Sequence, residues 1–168
     1  MSACSRRWLS RKPRTDYRIS GFFLIKEVVL LKILVASHGT FASGIKSSLE
    51  VLLGKSDTLS VIDAYIDQND FETQLEVFFQ TITEGEQVIL LSDLYGGSVN
   101  QKLALYLTRP ETYLIAGVNL PLLLALMLNN EPVDEEKIKA LVKESREAIR
   151  IVEIQSNGVE NEDFFGGS

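Results

Sequence analysis

Four apolar runs rich in β-branched residues alternate with segments whose apolar positions recur at helical spacing, and this alternation leaves few folds open. Val29–Ala36 is continuous and apolar apart from Lys32, the pattern of a parallel strand covered on both faces. A helix over Gly44–Leu53 follows, with Ile45, Leu49, Leu52 and Leu53 on one face and Gly54 as its stop. Leu59–Tyr65 reads as a second strand. Asn69 or Asp70 then caps a helix reaching about Ile82, with Phe71, Leu75, Phe78 and Phe79 inward, and Gly85 ends it. Val88–Leu91 is a third strand. Ser98 is placed to cap a helix to about Thr108, and Tyr113–Val118 is a fourth strand. Pro121 opens an apolar helix to about Leu128, and Asp134–Ile149 is amphipathic, with Ile138, Leu141, Val142, Ala148 and Ile149 apolar.

Strand–helix alternation of this kind predicts an α/β fold. It has three layers, α/β/α, around a central, mainly parallel, doubly wound sheet of four strands, with Ile151–Ile154 as a possible short C-terminal edge strand. Crossovers are expected to be right-handed. Ligands of such sheets bind beyond the carboxyl ends of the strands. That rule selects Ser37-His38-Gly39-Thr40, Asp67–Asn69, Asp93–Ser98 and Asn119.

The termini differ from this body. Residues 1–31 carry seven Lys/Arg against two Asp/Glu, while the whole chain of 168 residues has a net charge of -6. The body is therefore acidic, which disfavours nucleic acid and suits a basic protein partner. The stretch GFFLIKEVVLLKILVA is interrupted by Lys26, Glu27 and Lys32, so it fits neither a signal-peptide core nor a membrane span. Residues 1–28 are expected to be a disordered or mistranslated leader. Lys26-Glu27-Val28 can be encoded by AAG-GAG-GTN, a ribosome-binding sequence, and Leu31 by a TTG start codon. The domain is placed at 29–154 and an acidic, glycine-rich flexible tail at 155–168.

The chain has one histidine and one cysteine. A zinc site of the usual nitrogen and sulfur ligands is thereby excluded, and no metal or other cofactor is expected. His38 could be an ordinary turn histidine. Asp93 could be a surface charge or a cap, and GGS at 96–98 a plain loop with a capping serine. Taken together the three suit another role. Asp93 could accept a hydrogen bond from one imidazole nitrogen and fix the tautomer, leaving the other nitrogen outward as a nucleophile. Gly96-Gly97 and the following helix start could form an anion nest, with Ser98, Gly39 and Thr40 beside it. Reversible phosphorylation of His38 needs such a set: a nucleophile, an orienting carboxylate, and donors for phosphoryl oxygens.

Competing motifs are missing. There is no G-x-G-x-x-G, no G-x-x-x-x-G-K-[ST] and no G-x-S-x-G. LVASHGT superficially resembles the opening of histidine phosphatases, but Ser37 stands where those need arginine and no second histidine exists.

ILVASHGTFASGI, VILLSDLYGGSVN and YLIAGVNLPLLL, in this order, resemble three signature segments of the enzyme IIA domain of the mannose/sorbose-type sugar phosphotransferase system (PTS), over about Leu31 to Glu153. The resemblance implies a cytoplasmic phosphocarrier and a phosphotransferase activity. His38 would accept a phosphoryl group from phospho-HPr on Nε2 and pass it to a IIB subunit serving membrane subunits IIC and IID. Asp93 matches the orienting aspartate, and Ser98 a residue near the phosphoryl oxygens. It also implies a homodimer, often with an exchanged C-terminal strand, for which Ile151–Ile154 is the candidate. GGSVNQ departs from the commoner GGSPFN, and the basic leader has no counterpart. Two other roles share the fold: a phosphocarrier for a dihydroxyacetone kinase, and a regulatory module that reports its phosphorylation state.

Overall fold

A computed structural model describes residues 30–66 and 70–152. Its elements alternate as the apolar pattern requires. They are β1 (Leu31–His38), α1 (Phe41–Leu53), β2 (Leu59–Ala64), α2 (Phe71–Gln80), β3 (Gln87–Ser92), α3 (Ser98–Ala104), a 3₁₀ turn (Leu105–Thr108), β4 (Thr112–Ala116), α4 (Leu120–Leu128) and α5 (Glu135–Glu147). All strand pairs are parallel, in the order β2-β1-β3-β4. β1 therefore hands the chain to β2 on one side, and β3 returns on the other. The junction of β1 and β3 is the topological switch point, where a doubly wound sheet opens a crevice at its carboxyl end.

Side chains on β1 alternate between two cores. Ile33 and Val35 pack with the cluster containing Ile45 and Leu49 of α1, Leu122, Leu123 and Leu126 of α4, and Ile138 and Leu141 of α5. Leu34 and Ala36 pack with the cluster containing Phe71, Leu75 and Phe78 of α2 and Val99 and Leu103 of α3. Each large side chain withdrawn from water contributes about 1.5–3 kcal/mol, and a strand buried on both faces needs no polar alternation. Among the described residues no buried side-chain nitrogen or oxygen lacks a partner.

Caps set several boundaries. Asp70 accepts from the amide of Thr73 at 3.2 Å, Asn119 from Leu122 at 2.9 Å and Asp134 from Lys137 at 2.7 Å. We expect Asp70→Ala to cost about 1 kcal/mol, read as a lowered midpoint in urea denaturation with an unchanged slope.

The second strand and the last helix end a little early, at Ala64 and Glu147, and four further boundaries need correction. First, α1 begins at Phe41, three residues before Gly44, because the buried Ser37 hydroxyl accepts from the Ala42 amide at 2.7 Å and Asp63 from Ser43 at 2.9 Å. Second, α2 ends at Gln80, and Ile82 lies beyond it. Third, Gly97 occupies the cap position of α3, so Ser98 is its first residue and does not cap it; the last turn tightens to 3₁₀ from Leu105. Fourth, β1 runs on to His38 and β4 stops at Ala116, where Gly117 turns with φ of 83°. Ile151 and Val152 are exposed and belong to no strand. Glu153, Ile154, the leader, Asp67–Asn69 and the acidic tail lie outside the described residues.

Candidate functional site

His38 is the last residue of β1, and Asp93 follows the last residue of β3, so the switch point brings them together. Asp93 Oδ2 lies 2.9 Å from His38 Nδ1 and accepts the His38 backbone amide at 2.9 Å. Its other oxygen accepts the Leu94 amide at 2.8 Å. Burial alone would raise the pKa of this carboxyl. The donations from the His38 ring, the His38 amide and the Leu94 amide outweigh it and hold Asp93 below the ordinary carboxylate value. An ionised Asp93 can only accept, so the neutral ring carries its proton on Nδ1 and keeps a lone pair on Nε2.

Nε2 faces Ser98 Oγ at 3.0 Å, and the hydroxyl of Tyr65 reaches the same oxygen at 3.1 Å. The His38 side chain is 41% exposed, against 20% for Asp93. The imidazole is thus more open to solvent than the carboxylate behind it.

The glycine loop is held from behind. Asn100 donates to Ser92 Oγ at 2.9 Å and accepts the Gly96 amide at 3.1 Å, and Gln101 donates to the Gly96 carbonyl at 2.8 Å. Gly96 has φ of 72°, a conformation that favours glycine. A Cβ on Gly97 would stand 3.4 Å from His38 Cε1, so the bare backbone admits the ring at close range. Gly39, with φ of 58°, turns the chain out of β1, and its amide donates to the Ala64 carbonyl at 3.1 Å. Thr40 precedes α1 without a side-chain cap bond.

His38, Asp93 and Ser98 are thus in direct contact, with Gly97 against the ring and Gly39, Thr40 and Gly96 shaping the turns around it. The amides of Gly39 and Gly96 are already bonded within the protein. Asn119 is apart from this group, as the cap of α4. Sequence reasoning missed Tyr65 and Asn100, and it placed Ser37 at the strand end without its bond to the Ala42 amide. Tyr65 had an available signal, since it follows the carboxyl end of the second strand. Asn100 and Ser37 act through distances of eight and five residues that no motif names.

Among the described residues no cluster of three or more His, Cys, Asp or Glu could hold a metal ion, and no helix is long and apolar enough to cross a membrane. A groove of about 520 Å³ opens between β2 and α2, lined by residues such as Ser60, Ile62, Gln74 and Val77, and shares no residue with the His38 group.

The fold and this group define a doubly wound α/β protein with one carboxylate-oriented histidine at the mouth of its sheet. The chain belongs to the family of PTS system fructose IIA components (EIIA-man), whose model matches residues 32–156. It is 26% identical over 126 residues to the mannose-specific EIIAB component of Escherichia coli K12, covering 71% of this chain but only 39% of that protein. Among solved structures, one from Klebsiella pneumoniae assigned to the phosphoenolpyruvate-dependent sugar phosphotransferase system is 30% identical. Its TM-score is 0.69, with 77% of this chain and 96% of that one covered. A IIA protein associated with the fucose utilization operon of Streptococcus pneumoniae is 27% identical, with a TM-score of 0.60 over 72% and 92% of the two chains. The mannose/sorbose-specific IIA subunit of Enterococcus faecalis, at 18% identity and a TM-score of 0.64 over 73% and 95%, shares the fold. Membership places the chain among the IIA components of the PTS, and it spans well under half the length of the curated EIIAB relative.

Proposed function

We propose that the chain is a cytoplasmic phosphohistidine carrier that takes a phosphoryl group from phospho-HPr on Nε2 of His38 and passes it to a IIB subunit serving membrane subunits IIC and IID. The observation that carries this reading is the pairing of Nδ1 with Asp93 at 2.9 Å, which leaves Nε2 its lone pair, beside Ser98 Oγ, on a part-exposed ring. On loading, the bond from phosphorus to the donor breaks as a bond to Nε2 forms; on discharge, the bond to Nε2 breaks as one to the IIB nucleophile forms. The positive charge developing on the ring is stabilised by Asp93. Ser98 and Thr40 supply hydroxyl donors, and Gly96, Gly97 and Gly39 leave the space around the ring free of side chains.

A protein donor suits the surroundings. Phe41, Tyr65, Leu94 and Tyr95 are exposed apolar residues close in sequence or space to His38 and Asp93, on the rim of the site. Such a rim fits a protein face better than a small polar ligand. Exposed Ile149, Ile151 and Val152 suit burial against a second copy in a homodimer.

The test is to incubate the protein with phosphoenolpyruvate, enzyme I and HPr, and to look for acid-labile phosphate on it. Its transfer onward to IIB, and not to a dihydroxyacetone kinase, supports the transport role. The absence of label with every component active would refute the carrier reading. The net charge of -6 adds a kinetic expectation. If basic patches on HPr are steered to an acidic carrier, raising salt from about 0.05 to 0.5 M should slow transfer roughly 3- to 10-fold. A salt-independent rate would remove electrostatic steering from the account.

A further inference from the structure

The hydrogen bonds at the site have a determined direction. Asp93 holds Nδ1 at 2.9 Å and is ionised, so in the neutral ring Nδ1 donates to it and Nε2 has only a lone pair to offer. The 3.0 Å contact between Nε2 and Ser98 Oγ then requires the serine hydroxyl to donate. Having given its proton to the ring, Ser98 Oγ can only accept at 3.1 Å from the phenol of Tyr65. The order is Tyr65 to Ser98 to His38 to Asp93, each donation polarising the next.

Tyr65 is built into this position. It follows Ala64, whose register partner on the neighbouring strand is His38. Its φ is 65°, one of two positive values at non-glycine residues among those described. A bulky side chain seldom adopts that backbone conformation, and where it persists the surroundings fix it. Here the tyrosine ring lies 5.6 Å from the His38 ring and 6.3 Å from Phe71, centre to centre, with the Lys102 ammonium 5.8 Å from its own centre. Lys102 is itself held by an ion pair with Glu72. The half-exposed phenol is thus flanked by the aromatic rings and the cation, with its hydroxyl on one serine oxygen.

We infer that Tyr65 is a positioning residue for the proposed phosphoryl transfer, holding the Ser98 hydroxyl with its proton directed at the nitrogen that becomes phosphorylated. This inference rests on the carrier reading above. A serine rotor has three staggered wells, and a donor fixed on its oxygen selects among them. When phosphorus bonds to Nε2, that nitrogen no longer accepts. The Ser98 proton turns to a phosphoryl oxygen, while Tyr65 continues to hold Oγ beside it. Neither hydroxyl gains or loses a proton, and discharge to the next acceptor reverses the turn.

The experiment compares Tyr65→Phe, Ser98→Ala and the double variant by ¹⁵N NMR of the His38 ring and by the rate of transfer from phospho-HPr. Tyr65→Phe keeps the ring packing and removes only the hydroxyl. It is expected to shift the Nε2 resonance in the same direction as Ser98→Ala and to slow transfer about 3- to 10-fold. The double variant is expected to be no slower than Ser98→Ala alone, since Tyr65 acts through Ser98. Independent, multiplicative losses, or an unmoved Nε2 resonance, overturn the inference. Should Tyr65→Phe fail to fold, 3-fluorotyrosine gives a second arm. The more acidic phenol should move the Nε2 resonance opposite to Ser98→Ala, and no movement is likewise fatal. A wild-type protein that accepts no phosphoryl group defeats the carrier reading instead, and the two failures are distinct.

Discussion

His38→Ala should carry no acid-labile phosphate after incubation with phosphoenolpyruvate, enzyme I and HPr, while wild type is labelled. The expected loss is complete. The chain has one histidine, and the lone pair on Nε2 is the only imidazole nucleophile it possesses. The fold should survive. The ring is 41% exposed and its removal opens no core cavity, so thermal unfolding should move little. Residual label on His38→Ala would put the phosphoryl group on another side chain and overturn the assignment. Loss of label together with loss of folded structure would be shown by circular dichroism on the same sample. Ser98→Ala, which leaves the imidazole in place, should still be labelled, though more slowly.

Asp93→Asn is expected to slow transfer roughly 10²- to 10⁴-fold with the fold retained, the range associated with losing a positioned acid–base partner and its tautomer control. The carboxylate accepts three N–H groups on two oxygens: the Nδ1 proton and amide of His38 on one, the Leu94 amide on the other. An asparagine has one acceptor oxygen. Whichever side it serves, its NH₂ then opposes an N–H donor, and the ring loses its reason to keep the proton on Nδ1. The pH dependence follows from the lowered carboxyl pKa. A depressed folded value means that the stability contributed by ionised Asp93 is fully present above the unfolded value. It is lost as the pH falls through the lower folded one. Wild type should therefore shed this part of its stability in acid, below the ordinary carboxylate value of 3.8, and Asp93→Asn should lack that increment. Unchanged transfer in Asp93→Asn would remove the orienting role, and urea midpoints between pH 2 and 6 would check the stability part.

Much of the fold was legible because the buried strands write themselves as apolar runs. Val88–Leu91 could hardly be anything else, and all of Gln87–Ser92 is buried. The pairing of His38 with Asp93 was legible too, through the rule that sites gather at carboxyl ends. Boundaries were less so. Gly44 has the look of a helix start, but Ser37 and Asp63 accept the amides of Ala42 and Ser43 in the turn before it, and such long-range caps leave no local mark. Ser98 has the composition of a cap, yet the extended backbone of Gly97 takes that place, and the freed hydroxyl turns to the imidazole. Tyr65 reads as the last apolar residue of a strand. Only the positive φ at that point shows that it has left the sheet.

The partners of His38 lie 55 and 60 residues away along the chain, and they meet only because β1 sits between β2 and β3. A fragment that ends before Asp93 or begins after His38 cannot contain the site. The reactive edge also samples two separate seams of the sheet: Asp93 depends on the β1–β3 pairing, while Tyr65 depends on the β1–β2 pairing. Fraying of the edge strand β2 would release the phenol and leave the histidine–aspartate pair standing. Opening of the central seam would abolish both at once. Amide exchange at β2 and at β3 can therefore be ranked against the chemistry, with the outer seam tuning the nucleophile and the inner seam deciding whether it exists.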